Sequence, residues 1–303
     1  MPSCPDSDTL TEQLLLGAAS LPTLADIPLR VLALLDGEDV SLDAVAEEIE
    51  GDPVLAARLL RLANSPLFGN VQSVDTVTKA VVRLGAGEVR TVVLTLAFID
   101  SLGKDSRIFD MREVFREAVC CASLSRQLAR DLRAADPATA YLAGLLHSMG
   151  EIVLGLCFSE RFERAILHAR RHLTSAQDAL ESEFGVPAAR LGARLLERWR
   201  MPPRVVDAVR FQNEPEASPM ADSLAEVVGA ARRTARSFGI GIEWPGDSTR
   251  DWISEAEPIL HRAHGPTGDS ALYVQARRAQ LTDLDETLSV LLPEAGCRTA
   301  LLS

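Results

Sequence analysis

The chain has 303 residues, 47% of them hydrophobic, and a formal net charge of -12 at pH 7. This length buries one large core or two smaller ones, so the composition indicates a soluble globular protein. The acidic charge disfavours nonspecific binding to nucleic acid, whose phosphates repel a negatively charged protein. Aromatic residues, at 5%, also give little surface on which single strands could stack. Local basic patches stay open at Arg194–Arg210 and Arg232–Arg236.

The apolar segments predict no membrane span. The longest, Val89–Ile99 and Ile152–Phe158, are interrupted or shorter than the ~20 residues that cross a bilayer. The N-terminus lacks a basic segment followed by an apolar one, so we expect a cytoplasmic protein. The cysteines have an odd count and no metal-binding spacing, which indicates reduced thiols: Cys4, Cys120, Cys121, Cys157 and Cys297.

Helical periodicity begins in the N-terminal third of the chain. Apolar residues recur every three or four positions between Leu42 and Ile49, behind Ser41, which is a favourable N-cap. Asp52-Pro53 then supplies the N-cap and first-turn residues of a second helix. We expect this helix to stop at Asn64-Ser65-Pro66, since these residues favour turns.

Glycine and capping residues divide the next part of the chain. One helix is predicted from about Asp75 to Leu84, closed by Gly85, and another from Glu88 to Phe98. The longest helix should begin at Asp110, which caps it while Glu113 reaches back as in a capping box.

The second half of the chain continues as helices. Asp136-Pro137 opens the helix that carries His147. Periodic apolar positions predict five more helical segments, at residues 160–170, 175–184, 187–199, 203–211 and 224–238. Since no convincing alternating strand pair and no fixed-period repeat is present, the predicted fold class is all-α.

Short motifs follow one another along the chain in a fixed order. They are Leu21–Leu24, Asp52–Leu55, Leu59–Ser65, Ala80–Gly85, Ala143–His147, Gly192–Trp199 and Met201-Pro202. Together they resemble the HD-related output domain (HDOD) family of bacterial signalling proteins. We interpret the motif positions themselves as structural: Asp52, Pro53, Asn64, Ser65, Gly85, Gly144, Trp199 and Pro202.

The resemblance implies a domain organisation. Residues 20–240 would form the HDOD domain, with an N-terminal helical subdomain (20–109) packed on a degenerate HD-like subdomain (110–240). Residues 1–19 would be an N-terminal extension, and residues 241–303 a C-terminal helical segment of unassigned role.

The resemblance also locates the metal ligands of an active HD phosphohydrolase. The His-Asp pair of such an enzyme falls at His147-Ser148, so serine stands where a carboxylate ligand is needed. Further histidine positions fall near Glu117, Ala188 and Gln212-Asn213, and the distal aspartate falls near Ala230–Arg232. Only His147 remains, and one imidazole cannot hold a catalytic Mg, Mn or Fe ion.

We therefore expect no catalytic residue, no bound metal and no cofactor. The matching positions should line a vestigial pocket formed by Glu117, His147, Ser148, Gln212 and Asn213.

Structural interpretations are favoured for the remaining candidate residues. His147 is flanked by apolar residues, so a buried histidine bonded to a backbone carbonyl is favoured over a ligand contact. His168 and His172 have helical spacing but lie beside arginines, which indicates a solvated face. Arg58 and Arg61 flank a core leucine pair, and we expect both to project outward.

Three functions stay open at this point. The favoured one is a non-enzymatic scaffold that binds other signalling proteins, as the resemblance implies, in two-component or cyclic-dinucleotide regulation. The second keeps the vestigial pocket as a sensor that binds a nucleotide second messenger without cleaving it. The third is a residual metal-dependent phosphodiesterase. No membrane partner is expected, and nucleic acid is disfavoured.

Overall fold

Helices make up the architecture of the computed structural model, which describes residues 7–18, 21–22, 26–35, 37, 39–64, 73–102, 108–220, 223–241, 251–264, 273–275 and 278. No strand occurs among these residues, so the predicted all-α class is confirmed. A 3₁₀ turn spans Pro215–Ala217. The α-helices, in chain order, are α1 (Ser7–Gly17), α2 (Asp26–Leu35), α3 (Leu42–Glu50), α4 (Pro53–Ala63), α5 (Val77–Ser101), α6 (Met111–Leu132), α7 (Pro137–Leu146), α8 (Met149–Cys157), α9 (Ser159–His172), α10 (Ala176–Phe184), α11 (Ala188–Arg198), α12 (Pro203–Phe211), α13 (Leu224–Ser237) and α14 (Trp252–His264).

The helices form two compact units. The smaller unit covers the described residues of Pro22–Asp105, and in it α5 packs against α2, α3 and α4. The larger unit covers those of Met1–Leu21 and Ser106–Ala279, and its centre is formed by α6, α7 and α13. Helix α1, in the predicted N-terminal extension, packs on α11 in the larger unit, where Asp8 pairs with Arg190 at 3.1 Å.

Side-chain caps start the helices of the smaller unit where the sequence predicts. The Ser41 hydroxyl accepts a hydrogen bond from the Ala44 amide at the start of α3. One Asp52 carboxylate oxygen accepts from the amides of Val54 and Leu55, at 2.9 and 3.1 Å, and Pro53 opens α4. These caps satisfy amides that have no partner within the helix.

Asn64 ends α4 and also holds the chain that follows. Its side-chain amide donates to the Val74 carbonyl at 2.9 Å, and its carbonyl oxygen accepts from the Val74 amide at 2.8 Å. The predicted end of α4 is therefore confirmed, and Asn64 does more than stop the helix. The predicted turn residues Ser65 and Pro66 lie outside the described residues.

Gly85 has a non-helical backbone at the position where the sequence predicts that a helix ends. The helix nevertheless continues after it. The φ of 72° and ψ of 166° at Gly85 lie outside the helical region, and α5 continues on both sides of this kink. A side chain at such a positive φ would be strained, which explains the glycine. The two predicted helices are thus one kinked element, which is longer than α6.

Close approaches in the larger unit account for two of its glycines. A Cβ atom on Gly144 of α7 would lie 2.8 Å from the Ala122 Cα of α6. A Cβ on Gly150 of α8 would lie 1.7 Å from the Ala188 carbonyl oxygen at the start of α11. Gly144 therefore has the structural role expected of it. Trp199 and Pro202 are the C-cap of α11 and the N-cap of α12.

Two details of the predicted helices are wrong. Asp110 caps α6 by accepting from the Arg112 amide, but the Glu113 carboxylate lies 3.6 Å from Arg116 on the following turn, as an i,i+3 ion pair, instead of reaching back. Helix α7 ends at Leu146, so His147 is its C-cap and lies between α7 and α8 rather than within one helix.

Arg58 also departs from its expected position. Its side chain is only 7% exposed, and Nη1 donates to both carboxylate oxygens of Asp100 at 2.7 Å. The guanidinium thus links α4 to the last turn of α5, because the flexible arginine stem follows the apolar surface to a carboxylate. Arg61 is exposed as predicted.

The segment Pro137–Cys157 is apolar enough to be compared with a membrane span. Its mean hydropathy over the best window is 1.4, but 89% of that window is buried against other parts of the protein. This degree of burial is typical of the core helices of a soluble protein.

Replacing Asn64 tests its role in holding the chain after α4. We expect Asn64→Ala to lower the free energy of unfolding by about 1–3 kcal/mol, because two hydrogen bonds are lost and the Val74 groups lose their partners. Urea unfolding monitored by circular dichroism measures the change. Arg61→Ala, an exposed substitution on the same helix, is the control and should change it by less than about 0.5 kcal/mol. Equal effects of the two substitutions would contradict this role.

Candidate functional site

Charged side chains are buried together in the larger unit. Glu117 lies on α6, His147 between α7 and α8, Glu151 on α8, and Arg232 and Arg236 on α13. We call these five residues the buried charge cluster. Unpaired charges are almost never buried, because burial removes their hydration, so each member needs a partner of opposite charge or a hydrogen bond.

His147 is held by the backbone of the helix that it ends. Its Nδ1 donates to the Gly144 carbonyl at 2.7 Å, and its Nε2 lies 3.8 Å from Glu117 Oε1. The side chain is fully buried. The predicted buried histidine with a backbone carbonyl partner is confirmed.

Glu117 is paired with a guanidinium. Arg236 Nη2 lies 2.9 Å from Glu117 Oε1, and the two side chains are 7% and 2% exposed. Gly241 packs directly against this carboxylate, because a Cβ atom there would lie 2.6 Å from Glu117 Cδ. Its φ of 119° is one that residues with a side chain rarely adopt. Contact and backbone conformation together therefore require glycine.

The surrounding charges keep Glu117 ionised. Burial raises its pKa, but Arg236, His147 and Arg232 outweigh burial and lower the pKa to about 2. Glu117 is therefore a carboxylate throughout the physiological pH range.

His147 is shifted in the opposite direction. Burial lowers its pKa, but the neighbouring Cys121 side chain and the Glu117 carboxylate outweigh burial and raise the pKa to about 10. At neutral pH the ring is then an imidazolium, in which both nitrogens carry protons.

A second ion pair completes the cluster. Arg232 donates from Nη2 to Glu151 Oε1. Burial lowers the pKa of Arg232, but Glu151 and Glu117 outweigh it and raise the pKa above its ordinary value. Each of the two carboxylates thus has an arginine from α13.

The structure brings together most of the predicted pocket residues. Gln212 is fully buried and donates from Nε2 to the His147 carbonyl at 2.8 Å and to the Val209 carbonyl at 3.0 Å. Ser148 is buried next to His147. Asn213 is half-buried in the turn after α12, and among the described residues it makes no hydrogen bond to the cluster.

Sequence reasoning missed Glu151, Arg232 and Arg236 as site residues. The two arginines were considered only as part of an external basic patch, but both point inward. Their i, i+4 spacing, between the small and apolar residues of α13, is the signal that could have identified an inward charged face. Arg232 also falls in the segment where the family resemblance places the distal metal-binding aspartate.

These residues do not fit a metal ion. Within the part of the chain that the structure describes, no three His, Cys, Asp or Glu side chains are grouped so that they could hold one. The carboxylates of the cluster already carry guanidiniums, and a further cation would meet two arginines and an imidazolium. The arrangement is suited to holding helices together.

Comparison with known proteins identifies relatives that share the fold over most of the chain. A family model described as the HDOD domain matches residues 21–215. A crystal structure of an HDOD domain protein of unknown function from Geobacter sulfurreducens is 25% identical, with a TM-score of 0.80, covering 95% of this chain and 98% of that one. A candidate phosphohydrolase from Shewanella amazonensis SB2B is 27% identical, with a TM-score of 0.75, covering 94% and 99%.

A curated relative matches a shorter part of the chain. It is an uncharacterised protein of Treponema pallidum (strain Nichols), 27% identical over 221 residues, which cover 71% of this chain. The match spans 42% of that relative's own length.

Removing Arg236 tests the buried ion pair. We expect Arg236→Ala to lower the free energy of unfolding at pH 7 by about 3–5 kcal/mol, because Glu117 would be left as an uncompensated buried charge. The loss should be smaller at pH 4, since the pKa of Glu117 rises without the guanidinium and the carboxyl can take up a proton. Chemical unfolding at the two pH values measures both effects.

Arg164→Ala is the matched control for this substitution. Arg164 also lies 2.9 Å from a carboxylate, that of Glu183, but its side chain is 58% exposed. Its removal should lower the free energy of unfolding by less than about 1 kcal/mol. A similar loss in the two variants, or no pH dependence of the Arg236→Ala loss, would argue against a buried charge pair.

The raised pKa of His147 predicts a pH-dependent contribution to stability. The pKa of His147 is about 10 in the folded protein, whereas its ordinary value is 6.5. The protonated ring therefore stabilises the fold fully below pH 6.5, and this stabilisation is lost as the pH rises through 10. The difference in unfolding free energy between the wild type and His147→Gln should therefore shrink between pH 7 and pH 10. Guanidinium unfolding of both proteins at matched pH measures it, and a constant difference would show a neutral histidine.

Proposed function

The chain belongs to the HDOD domain family, and from this premise we propose that it is a non-enzymatic signal-transduction module that acts by binding other proteins. The family relationship connects it to HD phosphohydrolases, so the state of the former metal site decides between scaffold and enzyme. The pathway implied by the family resemblance is bacterial two-component or cyclic-dinucleotide signalling.

One observation carries the proposal. The Glu117–Arg236 ion pair lies beside His147, and the family resemblance puts the metal of an active HD phosphohydrolase at these positions. A metal ion activates water because it brings positive charge and open coordination positions. Here the positive charge belongs to a guanidinium, which binds a carboxylate but has no coordination position to offer water. Each carboxylate of the site thus has a guanidinium as its counter-ion.

A partner-binding role is supported by apolar side chains on the smaller unit. Most of the large hydrophobic residues that are exposed in the described part of the chain belong to this unit: Leu29, Leu34, Val40, Val54 and Val82. Exposed apolar side chains are common at sites where proteins bind other proteins. The smaller unit is therefore our candidate for the partner-binding surface.

The alternative of a nucleotide sensor in the vestigial pocket receives less support. Glu117, His147 and Gln212 are nearly or fully buried, and hydrogen bonds or ion pairs connect them to protein groups. A nucleotide needs an accessible cleft with room for its base and phosphates. It would have to displace the ion pair to enter here.

Metal analysis and turnover measurements test the proposal. After incubation with excess Mn²⁺ or Mg²⁺ and gel filtration, we expect less than about 0.1 metal ion per chain, because the cluster offers no metal-binding donor set. We also expect no hydrolysis of a chromogenic phosphodiester or of cyclic dinucleotides above the buffer rate.

A contrary result would have a distinct signature. Stoichiometric metal together with hydrolysis that is abolished in His147→Ala would overturn the scaffold proposal in favour of the phosphodiesterase. The exposed substitution His168→Ala, on α9, is the control for the loss of a histidine.

A further inference from the structure

An open cleft of about 890 Å³ lies at the other end of the larger unit from the buried charge cluster. Its walls come from the end of α6, the start of α12, the segment before α13, and α14. On α6, Asp131 in this cleft is 14 positions beyond Glu117, or about 21 Å along a helix at 1.5 Å per residue. The cleft is therefore a separate site.

Arginines dominate the charge of this cleft. Arg133, Arg204 and Arg262 line it from three different elements, and among the described residues of the lining Asp131 is the one carboxylate. The chain as a whole has a net charge of -12, so a cleft with an excess of guanidiniums departs from its average surface. Positive clefts in an acidic protein concentrate anions.

Asp131 is held by neighbouring donors. Its carboxylate oxygens accept hydrogen bonds from Gln127 Nε2 at 2.8 Å and from the Tyr273 hydroxyl at 2.6 Å. Arg262 is paired with Glu226 at 2.5 Å, and the two side chains are 53% and 30% exposed. Among the described residues, no carboxylate lies within ion-pair distance of Arg133.

Helix ends of both polarities line the cleft. Arg204 lies in the first turn of α12, and Ser223 is the N-cap of α13 and makes no side-chain cap hydrogen bond. The N-terminal end of a helix carries a partial positive charge and directs amide hydrogens outward. Two such ends meet the same cleft as the guanidiniums, and the C-terminal end of α6 and the last turn of α14, which carry partial negative charge, line it as well.

The remaining lining is apolar and is provided by Leu132, Ala134 and Met220. A lone phosphate or sulfate ion would leave most of an 890 Å³ cleft empty and these side chains uncovered. A nucleotide has both parts that the lining recognises, since its phosphates suit guanidiniums and its base suits an apolar wall. We propose that this cleft binds a nucleotide that carries two or more phosphate groups.

Nucleotide binding goes beyond the proposed scaffold function. The bound nucleotide would be a signal to which the scaffold responds. A ligand in the cleft would contact α6, α12, the segment before α13, and α14 at once, and α6 and α13 also carry the ion pairs of the buried charge cluster. Binding itself does not depend on whether the cluster is catalytic.

Isothermal titration calorimetry of the full chain tests the proposal, with ATP, GTP and cyclic diguanylate as probes and inorganic phosphate as the size control. We expect at least one nucleotide to bind more tightly than phosphate. Arg133→Ala and Arg204→Ala should each weaken that binding by about tenfold or more, since each removes a charged hydrogen-bond donor. Arg171→Ala, an exposed arginine on α9 outside the cleft, should leave it unchanged.

Three outcomes would overturn the nucleotide site. They are absence of heat with every nucleotide at about 1 mM, equal affinity for nucleotide and inorganic phosphate, and unchanged binding in the double variant Arg133→Ala/Arg204→Ala. Urea unfolding of the variants establishes that they remain folded. Hydrolysis of a bound nucleotide would contradict the non-enzymatic function while leaving the site in place, so the two proposals fail separately.

Discussion

The packing of the larger unit depends on the pairing of two buried carboxylates. Transfer of an unpaired carboxylate from water into a protein interior costs several kcal/mol even after relaxation, about as much as the whole stability of many domains. Glu117 and Glu151 therefore need positive charge beside them. Arg236 and Arg232 provide it from α13, so the position of this helix depends on charge as well as on apolar packing.

The same pairing connects the fold to its proposed role. A site that is packed against Gly241 and neutralised by arginines keeps α6, the α7–α8 junction and α13 in a fixed arrangement. Such a core suits a protein whose function is to present surfaces to partners. The carboxylates of the buried cluster are already paired with guanidiniums, and they are shielded from solvent. The open cleft at the far end of α6 provides access instead.

Local features of the fold could be predicted from the sequence, whereas the directions of long charged side chains could not. The caps at Ser41 and Asp52 depend on a few neighbouring residues and were correctly predicted. Arg58 was expected to project outward because arginine is usually exposed, and Arg232 and Arg236 were considered only as part of a local basic patch. Their inward directions depend on carboxylates that are distant in sequence, such as Glu117, and only the tertiary structure shows these pairs.

The central claim is that the Arg236 guanidinium is the cation that stabilises the buried Glu117 carboxylate. A double-mutant cycle with Glu117→Gln, Arg236→Met and the combined variant measures this most directly, through the coupling free energy of the two side chains. We predict a coupling of about 2–3 kcal/mol, with the combined variant more stable than Arg236→Met alone. Effects that add to within about 0.5 kcal/mol would contradict the claim, because independent residues give no coupling.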